Sequence, residues 1–108
     1  MYTFSIIILV ETWLSESTDC AFDINGYKQV NVYRNNHGGG IKAFYDEMFN
    51  VEVCRDLTLV NDVMEVLTFF LIGANFKYII CSVYRSTVAN PYIFNEMFFN
   101  LILQVFCQ

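Results

Sequence analysis

Three positions in this sequence carry side chains suited to chemistry at the end of a strand. Glu11 follows the apolar run Phe4 to Val10, and the ends of strands are where open α/β sheets place ligand-binding groups. A carboxylate there could hold Mg²⁺, a hard ion that takes a few carboxylate oxygens and keeps several waters. Glu65 opens another apolar run and reads as an exposed or edge charge. Tyr84-Arg85 closes a third run and reads as a packed tyrosine beside a surface arginine.

Two other groups of residues invite chemistry and lack the rest of it. His37-Gly38-Gly39-Gly40 matches in letters the oxyanion-hole motif of lipase-type hydrolases. No GxSxG elbow accompanies it, and His37 is the only histidine, which leaves no separate base for a serine nucleophile. The run reads instead as a solvent-exposed hairpin turn. The cysteines fall at 20, 54, 81 and 107 with no CxxC pair, so they read as free thiols in a reducing compartment. Cys81, inside an apolar run, is expected in the core as a small hydrophobe.

These residues need elements to position them. Phe4 to Val10 is continuously apolar, which suits a strand buried on both faces. Thr12 to Asn25 mixes polar and isolated apolar residues and reads as loop, with room for one turn of helix. Tyr27 to Arg34 alternates, with Lys28, Val30, Val32 and Arg34 on one side. Asn35 to Gly40 is a turn by composition, and Ile41, Ala43 and Tyr45 then alternate with Lys42 and Phe44 to complete a hairpin. Short strands are expected around Val51 to Val53 and Leu57 to Val60.

Val66 to Tyr84 has nearly the length of a membrane span. Gly73, Ala74, Asn75 and Lys77 interrupt it, and the strand-favouring residues on either side predict a hairpin of Glu65 to Ile72 with Phe76 to Tyr84. The clearest element is a helix. Ile93, Phe94, Met97, Phe98, Leu101, Ile102, Val105 and Phe106 form one stripe opposite Asn95, Glu96, Asn100 and Gln104. Asn90 suits its N-cap and Pro91 its first position.

Composition sets the outer bounds. The chain has 108 residues, 56% hydrophobic and 16% charged, against averages of roughly 45 to 50% and about 25% in soluble domains. One compact domain is the expectation, and disorder is excluded by nineteen aromatics and one proline. The net charge is -5 with no basic patch, so nucleic-acid affinity cannot rest on lysine and arginine alone. The start of the chain has no positive region and no cleavage site of the kind a signal peptide needs, so secretion is not expected.

Taken in order, SIIILVETWL, FDINGY, HGGGIKAFY, MEVLTFFL, YIICSVYRS and FNEMFFNLI resemble the endonuclease domain of non-LTR retrotransposons such as the jockey-like elements. That domain belongs to the endonuclease/exonuclease/phosphatase family, and the resemblance covers roughly Ile6 to Leu103. It implies an α/β fold, of the α+β four-layer sandwich kind, with two mixed sheets packed together and helices outside. It makes Glu11 the carboxylate that holds catalytic Mg²⁺ or Mn²⁺, and Tyr84 the tyrosine beside the scissile phosphate. Glu65 matches an acidic position that can orient a catalytic histidine. The implied partner is DNA, which the family nicks by phosphodiester hydrolysis to prime reverse transcription by RNA-directed DNA polymerase.

The departures shape the remaining expectations. Residues 1 to 108 begin just before the family's second strand, without its metal-site asparagine, and stop before its GDFN-type and SDH-type pairs. Ser86-Thr87 stands where many relatives carry proline. About half of an endonuclease domain is therefore expected, inactive alone, with an uncovered inner sheet face prone to self-association. By family its place is nuclear or cytoplasmic, with no lipid membrane. The alternative is a non-enzymatic α/β interaction module, membrane-associated through Val66 to Tyr84.

Overall fold

β-Branched and aromatic residues dominate the apolar runs of this chain, and in the computed structural model these runs extend as strands. The structure describes residues 4–14, 23–34 and 38–107. Among them lie β1 (Ile6–Val10), β2 (Tyr27–Val32), β3 (Ile41–Asp46), β4 (Asn50–Val53), β5 (Leu59–Val60), β6 (Met64–Ile72), β7 (Lys77–Arg85) and α1 (Pro91–Phe106). A single 3₁₀ turn, Arg55–Leu57, joins β4 to β5.

Two sheets result, and the described strands pair antiparallel throughout. In the first, β3 lies between β1 and β2. In the second, β6 is central: β7 runs along one edge, while β4 and β5 share the other. The chain is thus an α+β fold of seven described strands and a C-terminal helix.

Period-two alternation decides what each face of β6 meets. Leu67, Phe69 and Leu71 turn toward the first sheet and pack with Val32, Ile41, Ala43 and Tyr45. Met64 and Val66 turn the other way, and pack with Leu57 and Leu101 under α1. Thr68 shares that side, and its hydroxyl is satisfied by the Leu57 carbonyl at 2.7 Å. Each fully buried Leu, Val or Phe contributes about 1.5–3 kcal/mol by leaving water, so β6, apolar on both faces, is the keystone of three layers.

The helix forms where expected. Asn90 accepts from the Tyr92 amide at 2.9 Å and the Ile93 amide at 3.3 Å, which satisfies two otherwise orphaned donors. Phe94, Met97, Phe98, Leu101 and Val105 rest on the sheet. Ile93 and Phe106 do not, because the contact is narrower than the apolar stripe: Phe106 is 83% exposed.

Several other expectations change. β1 is not buried on both faces: among the described strands it pairs only with β3, and as an edge strand it leaves Ile8, Leu9 and Val10 exposed. Cys81 is exposed rather than core, since β7 also lies at an edge and α1 leaves an open groove beside it. The inner sheet faces are not left open either, because they close on each other. Val66 to Tyr84 falls in the β6–β7 hairpin, and no helix among the described residues is long and apolar enough to cross a membrane.

Candidate functional site

The chain leaves β1 through a sharp change of direction. Glu11 and Trp13 adopt φ of +52° and +57°, a left-handed conformation that side-chain-bearing residues rarely hold and that costs about 1–2 kcal/mol each. Tertiary bonds hold them there. The Trp13 amide donates to the Gly39 carbonyl at 2.9 Å, and the Thr12 amide to the Gly40 carbonyl at 3.4 Å. The kink carries the exposed Glu11 carboxylate across to the second sheet, where it accepts a hydrogen bond from the Tyr84 hydroxyl.

Tyr84 packs against the core between the sheets, as expected, and lies directly opposite Glu65 in the β6–β7 register. Glu65 is neither exposed nor an edge charge. It stands on the inner face of β6 with Leu67 and Phe69 and is 1% exposed. Its Oε1 accepts from the Gly40 amide at 2.6 Å, and its Oε2 lies 3.6 Å from the Arg34 guanidinium. A buried carboxylate is stable only when paired and hydrogen-bonded: Gly40 satisfies Oε1 and Arg34 supplies the opposite charge beside Oε2, which is left without a hydrogen bond. That leaves Glu65 away from solvent and unable to touch a substrate directly. The only histidine it could orient, His37, lies outside the described residues.

The glycine run is the second correction. Gly38, Gly39 and Gly40 are buried, because the turn folds back over Glu65 instead of projecting into solvent. Gly39 and Gly40 take φ of +72° and +97°, which glycine adopts without penalty. A Cβ on Gly39 would also collide with Glu65 Oε2 and stand 2.9 Å from Arg34 Nε. The Arg34 guanidinium occupies the space a side chain would need at Gly38, the guanidinium and the Glu65 carboxylate that at Gly39, and the Thr12 hydroxyl that at Gly40.

The electrostatics follow from this grouping. The Tyr84 hydroxyl is held above the ordinary tyrosine range, first by its bond to Glu11, then by burial and the negative charges of Glu11 and Glu65; Arg34 opposes the shift. Tyr84 is therefore a firm proton donor at neutral pH. No group of three or more His, Cys, Asp or Glu among the described residues is arranged to hold a metal. Glu11 contributes one exposed carboxylate to this cluster, an oxygen donor of the kind hard divalent ions take. A cavity of about 460 Å³ opens beside Glu11, over Lys42 and Phe44.

The structure thus brings Glu11, Glu65 and Tyr84 into one cluster and adds Arg34 and Gly40. Two signals could have found these additions. Arg34 continues the side of β2 that bears Val30 and Val32, and an acid inside the alternation of β6 calls for a buried partner. No family model, curated protein or solved structure matches the chain.

Proposed function

We propose that this chain is part of a metal-dependent DNA endonuclease of the endonuclease/exonuclease/phosphatase kind, the type that nicks target DNA for retrotransposon reverse transcription. The observation that supports this reading is the meeting of Glu11 and Tyr84 across 73 positions of sequence. They are the two residues that the resemblance gives to metal and to phosphate. In this reading Glu11 holds Mg²⁺ or Mn²⁺ through its exposed carboxylate. The bound ion would polarise a phosphate and stabilise the leaving oxygen. Tyr84, kept protonated, turns its O–H from Glu11 to a phosphate oxygen and fixes the phosphate against the sheet. Glu65 supports the site from below.

In this reading Glu11 is the metal ligand among the described residues, and the chain alone is expected to bind the ion and not to cleave. The test is an NMR titration of the chain with Mn²⁺, whose paramagnetism broadens nearby signals. Selective broadening at Glu11 and Tyr84, lost in Glu11→Ala, supports the reading; uniform broadening or none sinks it. Mg²⁺-dependent nicking of supercoiled plasmid by the same preparation, abolished by Glu11→Ala, would instead show that the chain is active alone.

A second reading is favoured by one observation. Tyr92, Phe99, Leu103 and Phe106 lie exposed along the solvent side of α1, as an interaction module that associates through this helix would have them.

A further inference from the structure

We infer that Glu65 is a positioning residue: its buried carboxylate fastens the Gly38 to Gly40 turn onto β6, and through that turn fixes the loop that carries Glu11 to Tyr84. The inference rests on the reading of Glu11 as a metal ligand only for its consequence, not for its geometry.

Three hydrogen bonds make the connection. The Gly40 amide donates to Glu65 Oε1 at 2.6 Å. The Gly40 carbonyl accepts from Thr12 at 3.4 Å and the Gly39 carbonyl from Trp13 at 2.9 Å. Thr12 and Trp13 directly follow Glu11, and they are the tertiary contacts that hold its left-handed backbone. On the other side, Tyr84 is set by its place opposite Glu65 in the ladder. Both partners of the Glu11–Tyr84 contact are thus referred to one residue of β6, one through a side chain and the other through the strand pairing.

A purely structural role explains the acid poorly. The neighbours of Glu65 on the same face, Leu67 and Phe69, fill the interior with apolar atoms. An apolar residue of similar volume is often as stabilising as a buried ion pair, or more so. A carboxylate does what a leucine cannot: it accepts a backbone N–H in a charge-assisted bond and so specifies where the turn lies. The cost appears in Oε2, which is buried with Arg34 nearby but without a hydrogen bond of good geometry.

The test compares the chain with Glu65→Leu and Glu65→Gln by amide hydrogen exchange and Mn²⁺ titration. In Glu65→Leu, exchange at Gly40 and Trp13 is expected to accelerate at least about tenfold while Phe69 and Leu71 keep their protection. Mn²⁺ affinity at Glu11 should fall by about 10- to 100-fold, the range for loss of a group that orients a metal ligand. Glu65→Gln, which keeps a neutral acceptor, should lie between the two. Unchanged exchange at Gly40 and Trp13 in Glu65→Leu overturns the inference. Should Glu65→Leu also lose its core protection, Glu65→Gln decides on the same criterion. If the unsubstituted chain binds no Mn²⁺ at Glu11, the metal reading fails, and exchange alone decides the positioning role.

Discussion

Glu65 and Tyr84 stand directly opposite each other in the β6–β7 ladder, yet they serve Glu11 by different routes. Tyr84 touches the Glu11 carboxylate itself; Glu65 holds the glycine turn to which the residues after Glu11 are bonded. The division follows from depth. Tyr84 is long enough to bring its hydroxyl to the rim, whereas the shorter acid remains among Leu67, Phe69 and the glycines, where only backbone and Arg34 reach it.

The Tyr84–Glu11 contact predicts a pH dependence. Because the Tyr84 hydroxyl is raised above 10.0, folding favours its protonated form. Its contribution to stability is complete below the unfolded tyrosine pKa and is lost as pH rises through the folded value. Burial shifts Tyr45 in the same direction, so Tyr84 must be isolated by difference. Ultraviolet titration of tyrosinate in the chain and in Tyr84→Phe should show a late-titrating phenol that moves back toward the ordinary range in Glu11→Ala. A Tyr84 that titrates identically with and without Glu11 contradicts the contact.

The glycine turn predicts a graded cost. Gly26 and Gly39 have similar φ, +86° and +72°, but a Cβ at Gly26 meets nothing within 4 Å, whereas at Gly39 it strikes Glu65 and Arg34. Gly26→Ala should therefore cost about 1–2 kcal/mol, the left-handed penalty alone. Gly39→Ala should cost more, with the carboxylate and guanidinium forced apart as an added term of about 1–3 kcal/mol. Urea denaturation of both variants measures the difference. Equal losses would mean that the turn does not press on Glu65.

What the sequence reveals here depends on whether a feature is local. The β2–β3 and β6–β7 hairpins and α1 are legible because alternation, a glycine or asparagine turn and the Asn90-Pro91 cap are carried by adjacent residues. The pairing of Glu11 with Tyr84 is not local. It entered only through resemblance, since nothing between positions 11 and 84 states that two sheets will face each other. The glycine run misleads for the same reason: composition identifies a turn, but Gly38 to Gly40 are buried among Thr12, Arg34 and Glu65, residues distant in sequence or from another sheet. β1 and Cys81 look interior by hydropathy, yet both lie in strands that run at an edge, and hydropathy does not encode strand order.

The cap of α1 offers a test of how the helix is held. Asn90→Ala removes the acceptor of the Tyr92 and Ile93 amides and should cost about 1 kcal/mol. Leu101, buried in the cluster beneath the helix, should cost about 2–5 kcal/mol on replacement by alanine. Thermal or urea unfolding should rank them in that order. The reverse ranking would mean that α1 is held by its first turn and not by its packing on β6.

The solvent side of α1 carries the last prediction. Tyr92, Phe99 and Phe106 are spaced seven apart and so lie on one face, with Leu103 beside them; Phe99 is 61% exposed. Next to this stripe a groove of about 330 Å³ runs between α1 and β7, lined by Cys81, Val83, Phe98, Ile102 and Phe106. Contiguous apolar surface of this kind drives association, and the polar side chains of α1, Asn95, Glu96 and Asn100, place little charge in its way. The chain should therefore self-associate with rising concentration in sedimentation velocity. Phe99→Glu with Phe106→Glu should shift it toward monomer without loss of folding. Charge alone does not explain such a shift if Asn95→Asp with Asn100→Asp, which adds the same charge and spares the stripe, leaves association intact. A chain that stays monomeric at every concentration rules out the helix face as an interface between copies, and with it the specific ground for the interaction-module reading.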